Sequence, residues 1–266
     1  RQGISDAALE LAIDHGAVSQ HSFFPDRPLL AGLCLEAAAR RISTSFRKKS
    51  ARTENYRAAE KKQKKEEPKV TMNDVAPINY KVHLEPDLET LRFSGSAEIV
   101  VEASRPVNEI TLNEVELAFW GCMVWMDGEF AQCPFYVDTR KEEIRVYLPK
   151  EMTGRIALKI NYVGEINDKM AGFYRSGYSA EGKAKYSAVT QFEESNARRA
   201  FPCFDHPVKK ASFDVEMVIN ENLVAISNGP ITEEKRRDDG SKVITFQQAP
   251  KMSTYLLFFG VGEFEF

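Results

Sequence analysis

The sequence has no apolar run of the roughly 18 residues that a helix needs to cross a bilayer. Its two longest apolar runs, Ala118–Met126 and Tyr255–Gly262, have the length of a β-strand. The formal net charge is only −3, so the chain as a whole has no excess of positive charge for binding nucleic acid. These absences predict a protein whose partners include neither a membrane nor a nucleic acid.

Cysteine and histidine are also scarce, with four of each in 266 residues. No two cysteines have C-x-x-C spacing, and the histidines lack the spacing of a zinc site, so no metal ligand is predicted in this chain. The cysteines predict reduced, mostly buried thiols in a cytoplasmic protein, with a Cys122–Cys133 disulfide as the alternative. The motifs His-Glu-x-x-His and Gly-x-Ser-x-Gly and the P-loop are absent, so no catalytic residue is predicted here either.

Charge is distributed unevenly along the chain. Residues 1–72 contain 14 Lys and Arg against 9 Asp and Glu, whereas the remaining residues contain 22 and 30. Residues 1–46 are predicted to be an N-terminal extension with helical spacing in Ser5–His15 and Leu29–Ser45. Residues 47–72 are predicted to be a charged linker, either a solvated helix or disordered. Whether residues 1–71 belong to the protein or are upstream sequence before Met72 stays open.

From residue 78 onward the hydrophobic pattern has the period of two that is typical of β-strands. Alternating apolar side chains occur, for example, in Arg92–Ala103 and in Gly154–Val163. At least nine such runs are separated by Pro, Gly, Asn and Asp. The pattern predicts that residues 73–266 form an all-β domain, an antiparallel sandwich or a saddle-like pair of sheets, in which each strand buries one face.

One polar stretch, Val189–Pro207, interrupts this β pattern. Ser195 or Asn196 is a suitable N-cap for a single helical turn, and Pro202 would end that turn. The apolar run Phe201–Phe204 is predicted to be a buried anchor. A loop made rigid in this way is a common place for functional residues.

The charged and amide residues of this stretch fall into two groups. Asp205 is placed to pair with Arg198 or Arg199, an ion pair that would only hold the loop together. Gln191 and Glu193 differ, because residues i and i+2 of an extended segment point to the same face. An amide oxygen beside a carboxylate offers acceptors to a cation such as an ammonium group. This pair is the candidate binding site, and an ordinary pair of surface residues is the alternative.

The stretch 189–207 resembles the signature of the N-terminal domain of zinc aminopeptidases of the aminopeptidase N type, a family of gluzincins. Within that family the likeness is closest to the archaeal tricorn-interacting aminopeptidases. The resemblance covers residues 74–266 and nothing before Met72. Further pieces occur in the family's order: Pro77–Tyr80 with Leu84–Pro86, Gly172–Ser176, Ser227–Pro230 and Met252–Leu257.

The resemblance implies a saddle-shaped all-β domain that packs against a catalytic domain and closes one side of its active-site cleft. In the family, the residue matching Glu193 holds the free α-amine of the peptide substrate, and the residue matching Gln191 lines the same pocket. Zinc, which polarises the peptide carbonyl and activates water, belongs to the catalytic domain. This sequence stops before that domain, so the resemblance implies that the chain alone binds no zinc and is inactive.

The resulting interpretation is the amino-terminal domain of a zinc-dependent aminopeptidase that removes N-terminal residues from peptides. Its partners would be the N terminus of a peptide substrate and the downstream catalytic domain of the same protein. Two alternatives stay open. One is a non-catalytic scaffold or protein-interaction domain derived from the same family. The other is a free-standing β-sandwich module that binds a carbohydrate or a peptide.

Overall fold

A computed structural model describes residues 74–180 and 182–265. The N-terminal extension and the charged linker, residues 1–72, lie outside the described residues, so their boundaries and their helical segments stay predictions. Within the described part of the chain, no helix is long and apolar enough to span a bilayer.

The described residues form fourteen β-strands, two single turns of 3₁₀-helix and no α-helix. The strands make one sheet of ten and one sheet of four, so the prediction of an all-β domain is confirmed. The strands are β1 (Val75–Asp87), β2 (Arg92–Asn113), β3 (Ala118–Met126), β4 (Glu129–Gln132), β5 (Phe135–Asp138), β6 (Glu143–Glu165), β7 (Gly172–Ala180), β8 (Lys183–Gln191), β9 (Ala211–Asn220), β10 (Val224–Ser227), β11 (Ile231–Arg236), β12 (Ser241–Phe246), β13 (Ala249–Met252) and β14 (Phe259–Gly262).

The large sheet has the strand order β11-β12-β9-β1-β2-β6-β3-β4, while β13 pairs with β9 and β5 pairs with β6. Its two longest strands, β2 and β6, pair from Arg92↔Glu165 to Asn113↔Glu143. Among the strands named above, every pair is antiparallel except β1–β9, which is parallel. The predicted predominance of antiparallel pairing is confirmed. The sequence pattern does not reveal the single parallel pair, because period-two alternation is the same in both strand directions.

The small sheet has the order β10-β14-β8-β7 and is antiparallel throughout. Its longest ladder joins β7 to β8, from Ala180↔Lys183 next to the hairpin turn to Gly172↔Gln191 at the open end. Gly172 and Gln191 therefore leave the sheet side by side. The polar stretch that the sequence singled out begins at this edge.

A continuous series of buried aromatic rings joins the two sheets, with neighbouring centroids 5.1 to 6.0 Å apart. Two of its members, Phe192 and Phe201, come from the polar stretch rather than from a strand. Aromatic pairs add about 0.5–1.5 kcal/mol each beyond the burial of their area. The loop is therefore part of the core that holds the sheets together. In order, the rings are Phe213, Tyr80, Phe201, Phe192, Phe259, Phe173 and Phe93.

The cysteines of the described residues are buried free thiols. The N–H of Cys133 donates to the carbonyl of Cys122 at 2.7 Å, yet the two thiols are not joined. Burial raises the pKa of Cys133 to about 11 and that of Cys203 well above its usual range. The structure thus agrees with buried thiols rather than with a Cys122–Cys133 disulfide, while Cys34 lies outside the described residues.

The outer face of the large sheet has a histidine between two carboxylates. Nδ1 of His83 on β1 is 2.8 Å from Oε1 of Glu216 on β9, and Nε2 is 3.1 Å from Oε1 of Glu85. The hydrogen bond to Glu85, supported by the one to Glu216, raises the pKa of His83 above its ordinary value of 6.5 although partial burial opposes the charge. His83 therefore ties β1 to its parallel partner.

We expect His83→Gln to destabilise the protein more at about pH 6 than at about pH 9, because the raised pKa makes the charged ring a stabilising group. That stabilisation is fully present below the unfolded pKa of about 6.5 and is lost as the pH rises through the higher folded pKa. Urea denaturation of both proteins at the two pH values measures it. His206→Gln is the control, since His206 is exposed and its Nδ1 accepts only the N–H of Val208. An equal loss at both pH values would contradict the prediction.

Candidate functional site

The polar stretch begins where β8 ends, at Gln191. Gln191 and Glu193 are exposed, whereas Phe192 between them is buried in the aromatic series. Both polar side chains are therefore on the solvent side, as the i, i+2 spacing predicts. The N–H of Glu193 donates a hydrogen bond to Oε1 of Gln191 at 3.1 Å. The structure thus brings the two predicted site residues together.

A tight turn follows Glu193, and the Glu193–Glu194 peptide bond is cis. The N–H of Asn196 donates to the carbonyl of Phe192 at 2.9 Å, and Nδ2 of Asn196 donates to the carbonyl of Glu193 at 3.0 Å. The 3₁₀ turn Ala197–Arg199 comes next, with Asn196 at its N-cap position as predicted. The Asn196 side chain makes no capping hydrogen bond, because it holds the turn that carries Glu193 instead.

An ion pair between Arg198 and Asp205 closes the loop. Nε of Arg198 is 3.0 Å from Oδ2 of Asp205, and the two side chains are 16% and 1% exposed. Oδ1 of Asp205 accepts a hydrogen bond from Oγ1 of Thr254 at 2.8 Å, so both carboxylate oxygens have donors. Burial disfavours the Arg198 charge, but the carboxylates of Asp205 and Glu142 outweigh it and raise the pKa of Arg198. Of the two partners that the sequence left open for Asp205, the structure selects Arg198.

Each arginine of the loop also reaches a glutamate from a distant part of the chain. Nη1 of Arg198 is 2.8 Å from Oε2 of Glu142, and Nη1 of Arg199 is 2.7 Å from Oε2 of Glu116. Both glutamates have a left-handed backbone, with φ of 55° and 59°. Oε1 of Glu116 also accepts from Nζ of Lys169 at 2.7 Å, and the Lys169 ammonium, with Arg199, lowers the pKa of Glu116. The sequence analysis missed both glutamates.

The apolar run Phe201–Phe204 anchors the far end of the loop in the core, as predicted. All four of its residues are buried. Cys203 forms an antiparallel bridge with Asn113 at the end of β2, and the N–H of Phe204 donates to Oη of Tyr80 at 3.0 Å. Burial raises the pKa of Tyr80 well above its usual range, so the phenol stays neutral while it accepts this bond.

The carboxylate of Glu193 differs from those of Asp205, Glu142 and Glu116. Asp205, Glu142 and Glu116 each accept hydrogen bonds from an arginine. Within residues 74–180 and 182–265, no group donates to the carboxylate of Glu193, which is exposed. Glu193 therefore offers all its acceptor positions to a cation from solvent, while its backbone is held by Gln191 and Asn196.

The described residues offer no candidate metal centre. The described residues contain no group of three or more His, Cys, Asp or Glu side chains that could hold a metal ion. The zinc that the resemblance implies therefore has no ligand set among them.

Comparison with known proteins identifies the family. Residues 76–256 match the family model of the Peptidase M1 N-terminal domain, which is more than half of the chain, so the chain belongs to the Peptidase M1 family. It is 37% identical over 204 residues to Aminopeptidase 2 of Candida albicans and 37% identical over 195 residues to Puromycin-sensitive aminopeptidase of Caenorhabditis elegans. It is also 38% identical over 196 residues to Aminopeptidase M1 of Arabidopsis thaliana.

These alignments cover 76%, 71% and 71% of this chain but only 22%, 21% and 22% of the relatives. The chain therefore spans about a fifth of the length of the curated relatives that it matches. The family predicted from the sequence is confirmed. The closer likeness to the archaeal tricorn-interacting aminopeptidases stays a prediction, because the relatives described here are from a yeast, a nematode and a plant.

We expect Arg198→Ala to lower the free energy of unfolding by about 3 kcal/mol, because it leaves the buried Asp205 carboxylate without its cation. Arg199→Ala is the matched control. Its partner Glu116 is 53% exposed, and an exposed pair contributes only about 0–1 kcal/mol. Denaturant titration of the three proteins measures both losses. Equal losses in the two variants would show that the Arg198–Asp205 pair does not hold the loop.

Proposed function

We propose that this chain is the amino-terminal domain of a zinc-dependent aminopeptidase and that Glu193 binds the α-ammonium group of the peptide substrate. The observation that carries the proposal is the exposed Glu193 carboxylate, which has no partner among the described residues and stands on a turn fixed by Gln191 and Asn196. The relatives named aminopeptidases support a peptide as the substrate class.

Gln191 and Glu193 have different parts in this proposal. The carboxylate of Glu193 accepts from the ammonium group, and a charge-assisted hydrogen bond contributes about 1.5–3 kcal/mol, which is roughly ten- to a hundredfold in affinity. Oε1 of Gln191 already accepts the N–H of Glu193. Gln191 therefore orients Glu193 and offers its second lone pair to the same ammonium group.

This arrangement accounts for selection of the free N terminus. A peptide with an acetylated N terminus, or a segment inside a longer peptide, has no ammonium group at the position of the scissile residue. Binding such a peptide would cover the Glu193 carboxylate without giving it a donor, and an unsatisfied charged group is costly once water is excluded. The site therefore favours removal of residues from the end of a peptide.

The remaining parts of the active site are, in this proposal, supplied by a catalytic domain outside this chain. That domain would hold the zinc, and the present domain would close one side of the cleft with a saddle-shaped surface. A cytoplasmic location belongs to the same proposal and is supported by the buried free thiols of the described residues. One relative, from Saccharomyces cerevisiae, is named Aminopeptidase 2, mitochondrial.

In the full-length enzyme, we expect Glu193→Ala to lower kcat/KM by roughly ten- to a thousandfold, from the lost charge-assisted contact and the poorer placement of the scissile bond. Glu193→Gln should be milder, because its amide oxygen still accepts one hydrogen bond. Both variants should lose the preference for free over N-acetylated peptides. The measurement is the ratio of kcat/KM for the two kinds of peptide.

Glu194→Ala is the control for this test, since Glu194 is the exposed neighbour of Glu193 and has no role in the proposal. It should leave the ratio of free to acetylated peptide unchanged. If Glu193→Ala also leaves that ratio unchanged, Glu193 is an ordinary surface carboxylate and the amine-binding role is wrong.

We expect the 266-residue chain alone to bind no stoichiometric zinc and to release no arylamine from aminoacyl arylamides. The reason is that a zinc site needs three or four closely placed ligands, and the described residues offer no such group. Metal analysis and an arylamide assay on the purified chain measure both properties. Tight zinc binding with turnover in a contaminant-free sample would overturn the assignment of catalysis to another domain.

A further inference from the structure

The loop Asn167–Ala171 lies at the same edge of the small sheet as the candidate site. Gly172 and Gln191 are the last register pair of the β7–β8 ladder, so the chain before Gly172 and the chain after Gln191 leave the sheet as neighbours. Met170 and Glu193 each stand two residues beyond this pair. A ligand bound at Glu193 would therefore lie next to the loop that carries Met170.

This loop has a fixed conformation. Nδ2 of Asn167 donates to the carbonyls of Ala171 and Phe173 at 2.9 and 3.1 Å, and Oδ1 of Asn167 accepts the N–H of Lys169 at 2.7 Å. The backbone of Met170 is left-handed, with φ of 53°. The three hydrogen bonds of Asn167 hold the residues on both sides of Met170, so the position of its backbone is set by the loop itself.

Two contacts join the loop to the 3₁₀ turn of the candidate site. Lys169 and Arg199 bind the two oxygens of the same carboxylate, that of Glu116. Gly172 packs against Arg199 so closely that an added Cβ would stand 2.5 Å from the Cβ of Arg199. Nε of Arg199 in turn donates to Oδ1 of Asn196 at 3.2 Å. Because the Asn196 side chain also binds the carbonyl of Glu193, the loop and the site turn form one connected unit.

Met170 is the large apolar side chain that the loop Asn167–Ala171 exposes to solvent. The side chains of its neighbours Asp168 and Lys169 bind Arg175 and Glu116, but the side chain of Met170 is 73% exposed. A thioether chain is apolar, unbranched and able to adapt to ligands of different shape. Its exposure on a fixed loop has no benefit for folding, since burial of apolar area is what stabilises a fold.

We infer that Met170 is a specificity-determining residue, which contacts an apolar side chain of the first residue of the peptide substrate; the inference rests on the proposed amine-binding role of Glu193. The α-carbon of that first residue carries both the ammonium group and the side chain. When the ammonium group is held at Glu193, the side chain leaves the same carbon within reach of neighbouring loops. Met170 supplies the apolar surface there, and it favours large apolar first residues over alanine.

The test compares aminoacyl arylamides of leucine, alanine and lysine with the full-length enzyme. Met170→Ala should lower the ratio of kcat/KM for leucine over alanine roughly three- to tenfold, the scale of a partial apolar contact. Met170→Leu should keep the ratio within about twofold, because volume and polarity are conserved. Met170→Glu should raise lysine over leucine roughly tenfold, since a carboxylate would then face the side chain of the first residue.

Val208→Ala is the matched control, because Val208 is equally exposed at 73% and lies outside the loop and the site turn. It should leave all three substrates in their wild-type proportions. The inference is overturned if Met170→Ala and Met170→Glu leave the ratios unchanged, or if they lower kcat/KM equally for all substrates, as a structural defect would. Failure of the amine-binding role is seen separately, in the response of Glu193→Ala to acetylated peptides.

Discussion

The rest of the site depends on the burial of one carboxylate, that of Asp205. A charged group that is 1% exposed is tolerated only when every acceptor position is satisfied. Arg198 and Thr254 donate to the two carboxylate oxygens of Asp205, and the backbone N–H of Asp205 donates to Oδ1 of Asn113. These three contacts join the loop, the end of β2 and the segment before β14. The loop stays closed because opening it would separate Arg198 from Asp205 and leave a buried carboxylate without its cation.

The aromatic series anchors the beginning of the loop in the core, as the contacts of Asp205 anchor its end. Phe192 directly precedes Glu193 and is buried between Phe201 and Phe259. Because adjacent residues of an extended segment point to opposite sides, burial of Phe192 forces Gln191 and Glu193 outward. Apolar burial thus places the two acceptors, and the ion pairs of Arg198 and Arg199 hold the part of the loop that follows them. An outward acceptor, a buried anchor and a second outward acceptor thus follow one another at Gln191, Phe192 and Glu193.

The sequence predicts those parts of the structure that are encoded locally. Period-two alternation predicts the strands and the all-β class, and the run Phe201–Phe204 predicts the anchor. The parallel direction of β1 and β9 cannot be predicted in this way, because the alternation of apolar residues is the same for parallel and antiparallel strands. Glu116 and Glu142 also escape it, since they are two of 39 acidic residues and meet the arginines only after folding. The proposed amine-binding role of Glu193 depends on the resemblance, because a Gln and a Glu two residues apart are common in any exposed strand.

The left-handed glutamates are long-range partners of the loop that carries Glu193. A non-glycine residue in that region costs roughly 1–2 kcal/mol, and Glu116 and Glu142 adopt it while each holds one arginine of the loop. The side chains of Glu116 and Glu142 are 53% and 48% exposed, so their ion pairs offset only part of this cost. The buried Arg198–Asp205 pair and the aromatic series contribute the rest of the stabilisation that holds the loop. If Glu193 binds an ammonium group as proposed, an acceptor on a backbone held in this way loses less conformational entropy on binding, and this saving adds to the affinity. The hydrogen bonds of Gln191 and Asn196 thus hold the backbone of Glu193 in the free protein, while its carboxylate stays open to solvent.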